Sequence, residues 1–218
     1  MIAQAKLAEP APSPEDSSKR RQIIEGARHV FMAQGFDAAS MNEIARVAGV
    51  SKGTLYVYFQ NKEELFEAIV GHECREQGER IFTLDADDHD VEGVLTRLGL
   101  ALVEFLCRPD RTPKLRAVIA ISERMPELGR EFYETGPAFG LAQLTAYLKA
   151  QIAAGVLAID DCEVEVAAAQ FIDSCSATLF KPVLFNCGTT PTPERIAHVV
   201  KIAVRTFMAA YASGSRNH

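Results

Sequence analysis

No stretch of the 218 residues approaches the ~20 consecutive apolar positions that a membrane-spanning helix needs. The first residues, MIAQAKLAEPAPSPEDSSKRR, lack the apolar core of a secretory signal; their Pro, Ser and acidic content reads as a disordered lead-in over residues 1–17. The five cysteines, Cys74, Cys107, Cys162, Cys175 and Cys187, contain no C-x-x-C pair, which argues against a zinc site or a disulfide framework. Scattered thiols of odd number fit a reducing, cytoplasmic setting. The histidines are equally isolated, and His72-Glu73-Cys74 lacks the i, i+4 ligand spacing of a helical metal site. No nucleophile–base pair, metal cluster or phosphate loop is visible, so neither an enzyme nor a cofactor is expected. Alternating apolar/polar strand patterns and internal repeats are almost absent, which leaves an all-α chain.

Charge is uneven. The whole chain carries −6. From Ser17 to Lys62, however, seven cations (Lys19, Arg20, Arg21, Arg28, Arg46, Lys52, Lys62) face three acids (Glu25, Asp37, Glu43), a net +4 that leaves −10 for the remainder. A basic head on an acidic body suits an anionic partner at one end.

Helix signals fill that head. A first helix is predicted over 18–34, with Ile23, Ile24, Ala27, Val30 and Phe31 on one side and Gly35 as a left-handed C-terminal cap. Ser40-Met41-Asn42-Glu43 has the form of a capping box, in which the serine accepts from the Glu43 N–H and the glutamate reaches back. It opens a short helix to Ala48, closed by Gly49. Ser51 caps a third helix to about Phe59, and Asn61 with Glu64 opens a fourth running past Ile69. Helices this short are unstable alone. Ile24, Phe31, Phe36, Ile44, Ala45, Ala48, Val50, Leu55, Phe59 and Leu65 are the shared core they require. Two short helices, with small residues where they cross and a glycine turn between them, form a helix-turn-helix. The second helix then presents its leading end to a major groove, where base edges differ in donors and acceptors. Lys52, Gly53 and Thr54 stand at that end, and Tyr56 lies one turn on. Ser40 sits at a helix N-terminus suited to a phosphate, and Lys62 can pair with another.

The run SMNEIARVAGVSKGTLYVYFQNKEEL, residues 40–65, resembles the DNA-binding region of the TetR family, and the similarity covers roughly 19–66. The resemblance implies an N-terminal three-helix DNA-binding domain over 18–66, joined to a helical effector-binding and dimerisation domain over 67–213. It adds a phosphate contact for Tyr58 and a base contact for Asn42. The DNA-contacting set is then Ser40, Asn42, Ser51, Lys52, Gly53, Thr54, Tyr56, Tyr58 and Lys62, with Lys19, Arg20 and Arg21 as flanking candidates. The stretch FYETGPAFGLAQLTAYLKAQIAAGVLAIDD resembles the C-terminal domain of AefR-type members.

Helices are predicted in that half over 90–107, 112–124, 127–153, 162–186 and 192–211, with Pro137 interrupting the third. The 162–186 segment is apolar nearly all round, so it needs two partners, one of which is a twin subunit. Ile172, Leu179, Val183, Ile196, Val199, Val200, Ala203 and Phe207 are the expected homodimer contacts. A ligand pocket is expected among Phe105, Arg116, Glu123, Phe132, Phe139, Gln143, Phe171 and Cys175. The implied function is a dimeric repressor on palindromic operator DNA, released by an apolar or amphipathic inducer. An activator, and a DNA-binding protein without small-molecule control, stay open as alternatives.

Overall fold

The computed structural model describes the backbone of residues 14–213 and the side chains of 17–69 and 76–213. The expected lead-in falls mostly outside the described residues, as do the side chains of His72, Glu73 and Cys74. The chain divides into two compact units, Met1–Ile69 and Val70–His218.

The first unit holds α1 (Pro14–Ala38), α2 (Met41–Ala48), α3 (Lys52–Tyr58) and the start of α4 (Lys62–Ile81). On α1, Ile23, Ala27, Val30 and Phe31 are buried. Ile24 lies a step round the helix and is only half-buried, so Ile23 takes the place expected for Ile24. Gly35 (φ 79°, ψ 167°) breaks α1, but in an extended glycine conformation rather than the expected left-handed cap. The chain then makes one further turn, which brings the Phe36 ring against those of Phe31 and Phe66, 5.7 and 5.2 Å between centroids. Gly26 is required by packing: a Cβ there would sit 2.5 Å from that of Ala48.

Two capping motifs fix the turns. The Ser40 hydroxyl accepts from the Glu43 N–H at 3.3 Å. The Glu43 carboxylate does not close the expected box; it accepts from Arg46 at 2.7 and 3.0 Å, which lowers its pKa. At the other end of α2, Gly49 is left-handed (φ 65°, ψ 34°). Its N–H donates to Arg46 and that of Val50 to Ala45, which is the paired bonding of a Schellman turn. Ser51 then accepts from the Thr54 N–H at 3.0 Å and starts α3.

The second unit adds α5 (Val91–Leu106), α6 (Thr112–Ile121), α7 (Pro126–Tyr133), α8 (Phe139–Ala153), α9 (Val164–Ser176), α10 (Phe180–Leu184) and α11 (Pro193–Tyr211). Its core is built where α5, α8, α9 and α11 meet, around Leu95, Leu98, Leu148, Ala168, Phe171 and Val200. Pro137 interrupts the α7–α8 segment as a π-helical turn, Glu134–Ala138, which absorbs the missing N–H without ending the rod. The long helix predicted over 162–186 is two helices. It stops at Ser176, and Thr178 is left-handed (φ 64°) before α10 begins.

Gln151, with no exposed surface, ties down the loop ahead of α5. Its Nε2 donates to the Ala86 carbonyl and its Oε1 accepts from His89 Nδ1, both at 2.8 Å. Tyr147 donates its hydroxyl to the Asp88 carbonyl at 2.8 Å. Burial first, and then the nearby Asp88, push the Tyr147 phenol up to about 12. No described helix is long and apolar enough to cross a membrane.

Candidate nucleic-acid interface

Helix α3 is seven residues, roughly 10 Å at ~1.5 Å per residue, short enough to lie across a major groove ~12 Å wide. Leu55, wholly buried, pins one face of α3 to the first unit, and Phe59 closes the helix beneath it. Everything opposite is open. Lys52 and Gly53 are exposed, and the Tyr56 ring is 45% exposed with the Lys52 Nζ 5.9 Å from its centroid. That pairing keeps an ammonium and an aromatic edge together at the leading end of the helix.

Gly53 has no internal reason to be glycine. Its φ is ordinary, and an added Cβ would meet nothing nearer than the Ser51 hydroxyl at 3.8 Å. Ser51 is an exposed cap whose hydroxyl also pairs with that of Thr54 at 2.7 Å. Ser40 and Asn42 are exposed around the N-terminus of α2, and Tyr58 is half-buried. These eight candidates therefore lie on α2, α3 and their caps, with Lys52, Gly53 and Tyr56 exposed on α3.

Lys62 stands apart. Its Nζ donates to the carbonyls of Phe36, Asp37 and Ala39 at 2.9, 3.1 and 3.3 Å, and lies 4.7 Å from the centre of the Phe36 ring. An ammonium has three N–H groups, and all three are engaged on the end of α1 and the residue that follows it. The phosphate contact expected of Lys62 finds no free donor here. Among the flanking cations, Arg20 lies over the Phe59 ring at 5.1 Å and Lys19 donates to Gln22, whose amide caps the Ala48 carbonyl at 2.7 Å. Sequence reasoning passed over Val57, which is 81% exposed on α3. Counting helical turns outward from Leu55 is the signal that would have found it.

The residues expected at a dimer interface are occupied within one chain. Leu179, Ile196, Val199, Val200, Ala203 and Phe207 are each 8% exposed or less, while Ile172 and Val183 are half-buried. The six buried side chains pack into the core of their own protomer, while Ile172 and Val183 keep part of their surface open. On the outer faces of the same helices, Val166 on α9 is 56% exposed and Ile202 on α11 is 41% exposed.

The expected pocket residues are spread over the elements from α5 to α9. Phe171 and Cys175 are buried core, and Arg111 covers Phe105 with its guanidinium 3.8 Å from the ring centre. Arg116 caps α10 through the carbonyls of Val183 and Leu184, at 3.4 and 3.1 Å. Glu123 is exposed, and Phe132, Phe139 and Gln143 are half-buried along α7, the π turn and α8. None of the eight lines the crevice of about 350 Å³ that opens between the end of α4 and α5. Its apolar side is Ile81, Leu84, Val94, Leu98 and Ala101, and its polar rim is Arg80, Thr83, Asp85, Asp88 and Arg97. No group of three potential metal ligands is assembled among the described residues.

Comparison with known proteins agrees with this geometry. Residues 23–69 match the pattern of bacterial regulatory proteins of the tetR family, and residues 93–213 match the AefR-like transcriptional repressor C-terminal domain. Over 123 residues, 54% of the chain, the sequence is 29% identical to the HTH-type transcriptional repressor Rv1474c of Mycobacterium tuberculosis. Over 107 residues, 48% of the chain, it is 31% identical to the HTH-type transcriptional regulator TtgR of Pseudomonas putida. The matched stretches span 58% and 50% of those relatives' own lengths. Among solved structures, a TetR-family regulator from Mesorhizobium loti superposes with a TM-score of 0.84 at 28% identity, covering 92% of this chain and all of that one. The Flavonoid-responsive Regulator FrrA gives 0.78 at 30% identity, covering 91% and 99%. With both parts of the chain matched in sequence and nine-tenths of it matched in fold, this protein belongs to the TetR family of transcriptional regulators, with a C-terminal domain of the AefR-like type.

Proposed function

We propose that this chain is a homodimeric repressor that binds a palindromic operator through α3 and leaves it when an amphipathic small molecule occupies the second unit. The observation that carries the DNA-binding part is the open side of α3: Lys52, Gly53 and Tyr56 are exposed on a helix pinned by Leu55. Lys52 and Tyr56 supply contacts to base edges, and Ser40 at the start of α2 supplies a phosphate contact. The net +4 between Ser17 and Lys62 favours the approach to DNA despite an acidic whole.

Dimerisation is assigned to the outer faces of α9 and α11, where Val166 and Ile202 remain exposed on helices whose inner faces are filled. Two helices from each protomer form a four-helix contact, and its twofold axis imposes two half-sites on the operator. Ligand control is supported by the crevice beside α5, which joins an apolar side to two arginines and two aspartates, and by the flavonoid-responsive neighbour at 30% identity. Hydroxylated aromatic compounds are therefore the first class to test. A ligand releases DNA only by favouring the conformer that does not fit the two half-sites. Helix α4 has residues in both units and is the connection through which that preference passes.

Selection from a library of random duplexes tests the reading. The expected result is enrichment of one twofold-symmetric sequence, bound by a species of twice the chain mass and released by an amphipathic aromatic compound. No enrichment, or binding of every duplex alike, would overturn it.

A further inference from the structure

The Lys52 and Tyr56 pair leaves the centre of the α3 face unaccounted for. At ~100° per residue, Gly53 and Val57 fall about 160° to either side of the buried Leu55, so they are the two positions turned most directly away from the core. Val57 is 81% exposed, the highest value among the exposed large hydrophobic side chains described. Beside it, one turn back, is a glycine that neither backbone conformation nor packing demands. Together they make a bare apolar strip, flanked by hydroxyls at Thr54 and Tyr56. A strip of this kind does not match a donor or acceptor on a base edge. The one apolar group that a major groove presents is the 5-methyl of thymine. Missing side-chain bulk at Gly53 allows the helix to approach closely enough for the Val57 methyls to reach it.

We propose that Val57 is a specificity-determining residue that reads a thymine 5-methyl group in each operator half-site. The assignment rests on the DNA-binding reading above and adds the chemical group recognised. Val57 contributes no hydrogen bond and no charge. Its effect is therefore independent of salt and confined to one base position, unlike that of a phosphate contact.

Deoxyuridine separates the possibilities, because it pairs as thymine does but lacks the methyl. Each thymine of the selected duplex is replaced singly, and binding of the full chain is measured with the unaltered protein and with Val57→Ala. Val57 is almost fully exposed, so the variant keeps its fold. The expected result is one thymine per half-site whose replacement weakens the unaltered protein about fourfold, the factor for taking roughly one methylene-sized group out of apolar contact. The same replacement leaves Val57→Ala unchanged, and 5-methylcytosine placed at that position partly restores the contact. Uniform tolerance of deoxyuridine by the unaltered protein overturns the proposal. A loss that persists in Val57→Ala but vanishes in Tyr56→Ala overturns it too, and assigns the methyl to the tyrosine. If no duplex is preferred at all, the DNA-binding reading fails first and this inference goes with it.

Discussion

The Lys62 ammonium donates to the Phe36 carbonyl at 2.9 Å, which ties the first turn of α4 to the last turn of α1. The same nitrogen reaches Ala39, the residue before the Ser40 cap, so it also holds the entry to α2. Cations are favoured at the C-terminal end of a helix, where carbonyls lack partners. Lys62→Met should therefore cost about 1–3 kcal/mol of stability and lower the melting temperature. The slope of log affinity against log salt should stay as it was. A slope that falls by about 0.9, with the melting temperature unmoved, would return Lys62 to the phosphate backbone.

Gly53→Ala separates stability from binding. Alanine is the better helix former by up to about 1 kcal/mol, and the protein has space for the new Cβ. The variant should melt at or above the temperature of the unaltered chain and yet bind operator at least tenfold more weakly, since the methyl projects into the groove. Equal affinity would show that DNA does not approach this face closely.

Gln151→Leu tests the clamp on the loop before α5. The substitution removes two hydrogen bonds to the Ala86 carbonyl and the His89 ring, both on exposed residues, a loss of about 1 kcal/mol. Amide exchange over residues 85–90 should accelerate. Unchanged protection there would mean that the amide does not hold the loop.

Alkaline pH should loosen the second unit. Burial pushes the Cys175 thiol up to about 12, from 9, and Tyr147 is pushed up to about 12, from 10. Both groups are kept protonated by the fold, so their contribution to stability is intact below about pH 9 and is lost as pH rises toward 12. At pH 8 a thiol reagent should modify the exposed Cys162 and Cys187 well before Cys175, which is wholly buried beside Gly99. Site-mapped mass spectrometry reads the order. Early modification of Cys175 would place it outside the core.

The turns of the first unit were legible because each depends on local chemistry: serine caps at 40 and 51 and a glycine at 49 that ends α2; the close crossing that Ala48 makes is with Gly26 of α1, not with α3 as expected. Tertiary choices were not. The sequence of α11 shows an apolar face but not whether that face meets its own chain or a twin, and Val199 and Phe207 proved to be core. Lys62 has the look of a surface cation because nothing in its neighbourhood of sequence reveals three carbonyls 23 to 26 positions earlier. The break at Thr178 was missed although Pro182, four residues on, lacks the N–H that would bond the Thr178 carbonyl and collides with that carbonyl in a continuous helix. The crevice beside α5 is lined by residues between Arg80 and Ala101, and its shape depends on how the loop between α4 and α5 folds back, which the helical pattern of that stretch does not reveal.

The central claim is that the exposed face of α3 reads DNA sequence. Lys52→Ala combined with Tyr56→Ala, compared with the unaltered chain on the selected duplex and on a scrambled one, tests it most directly. The account predicts that the double variant binds both duplexes equally and weakly while keeping its helicity and its dimeric mass. An unchanged preference for the selected duplex would contradict it.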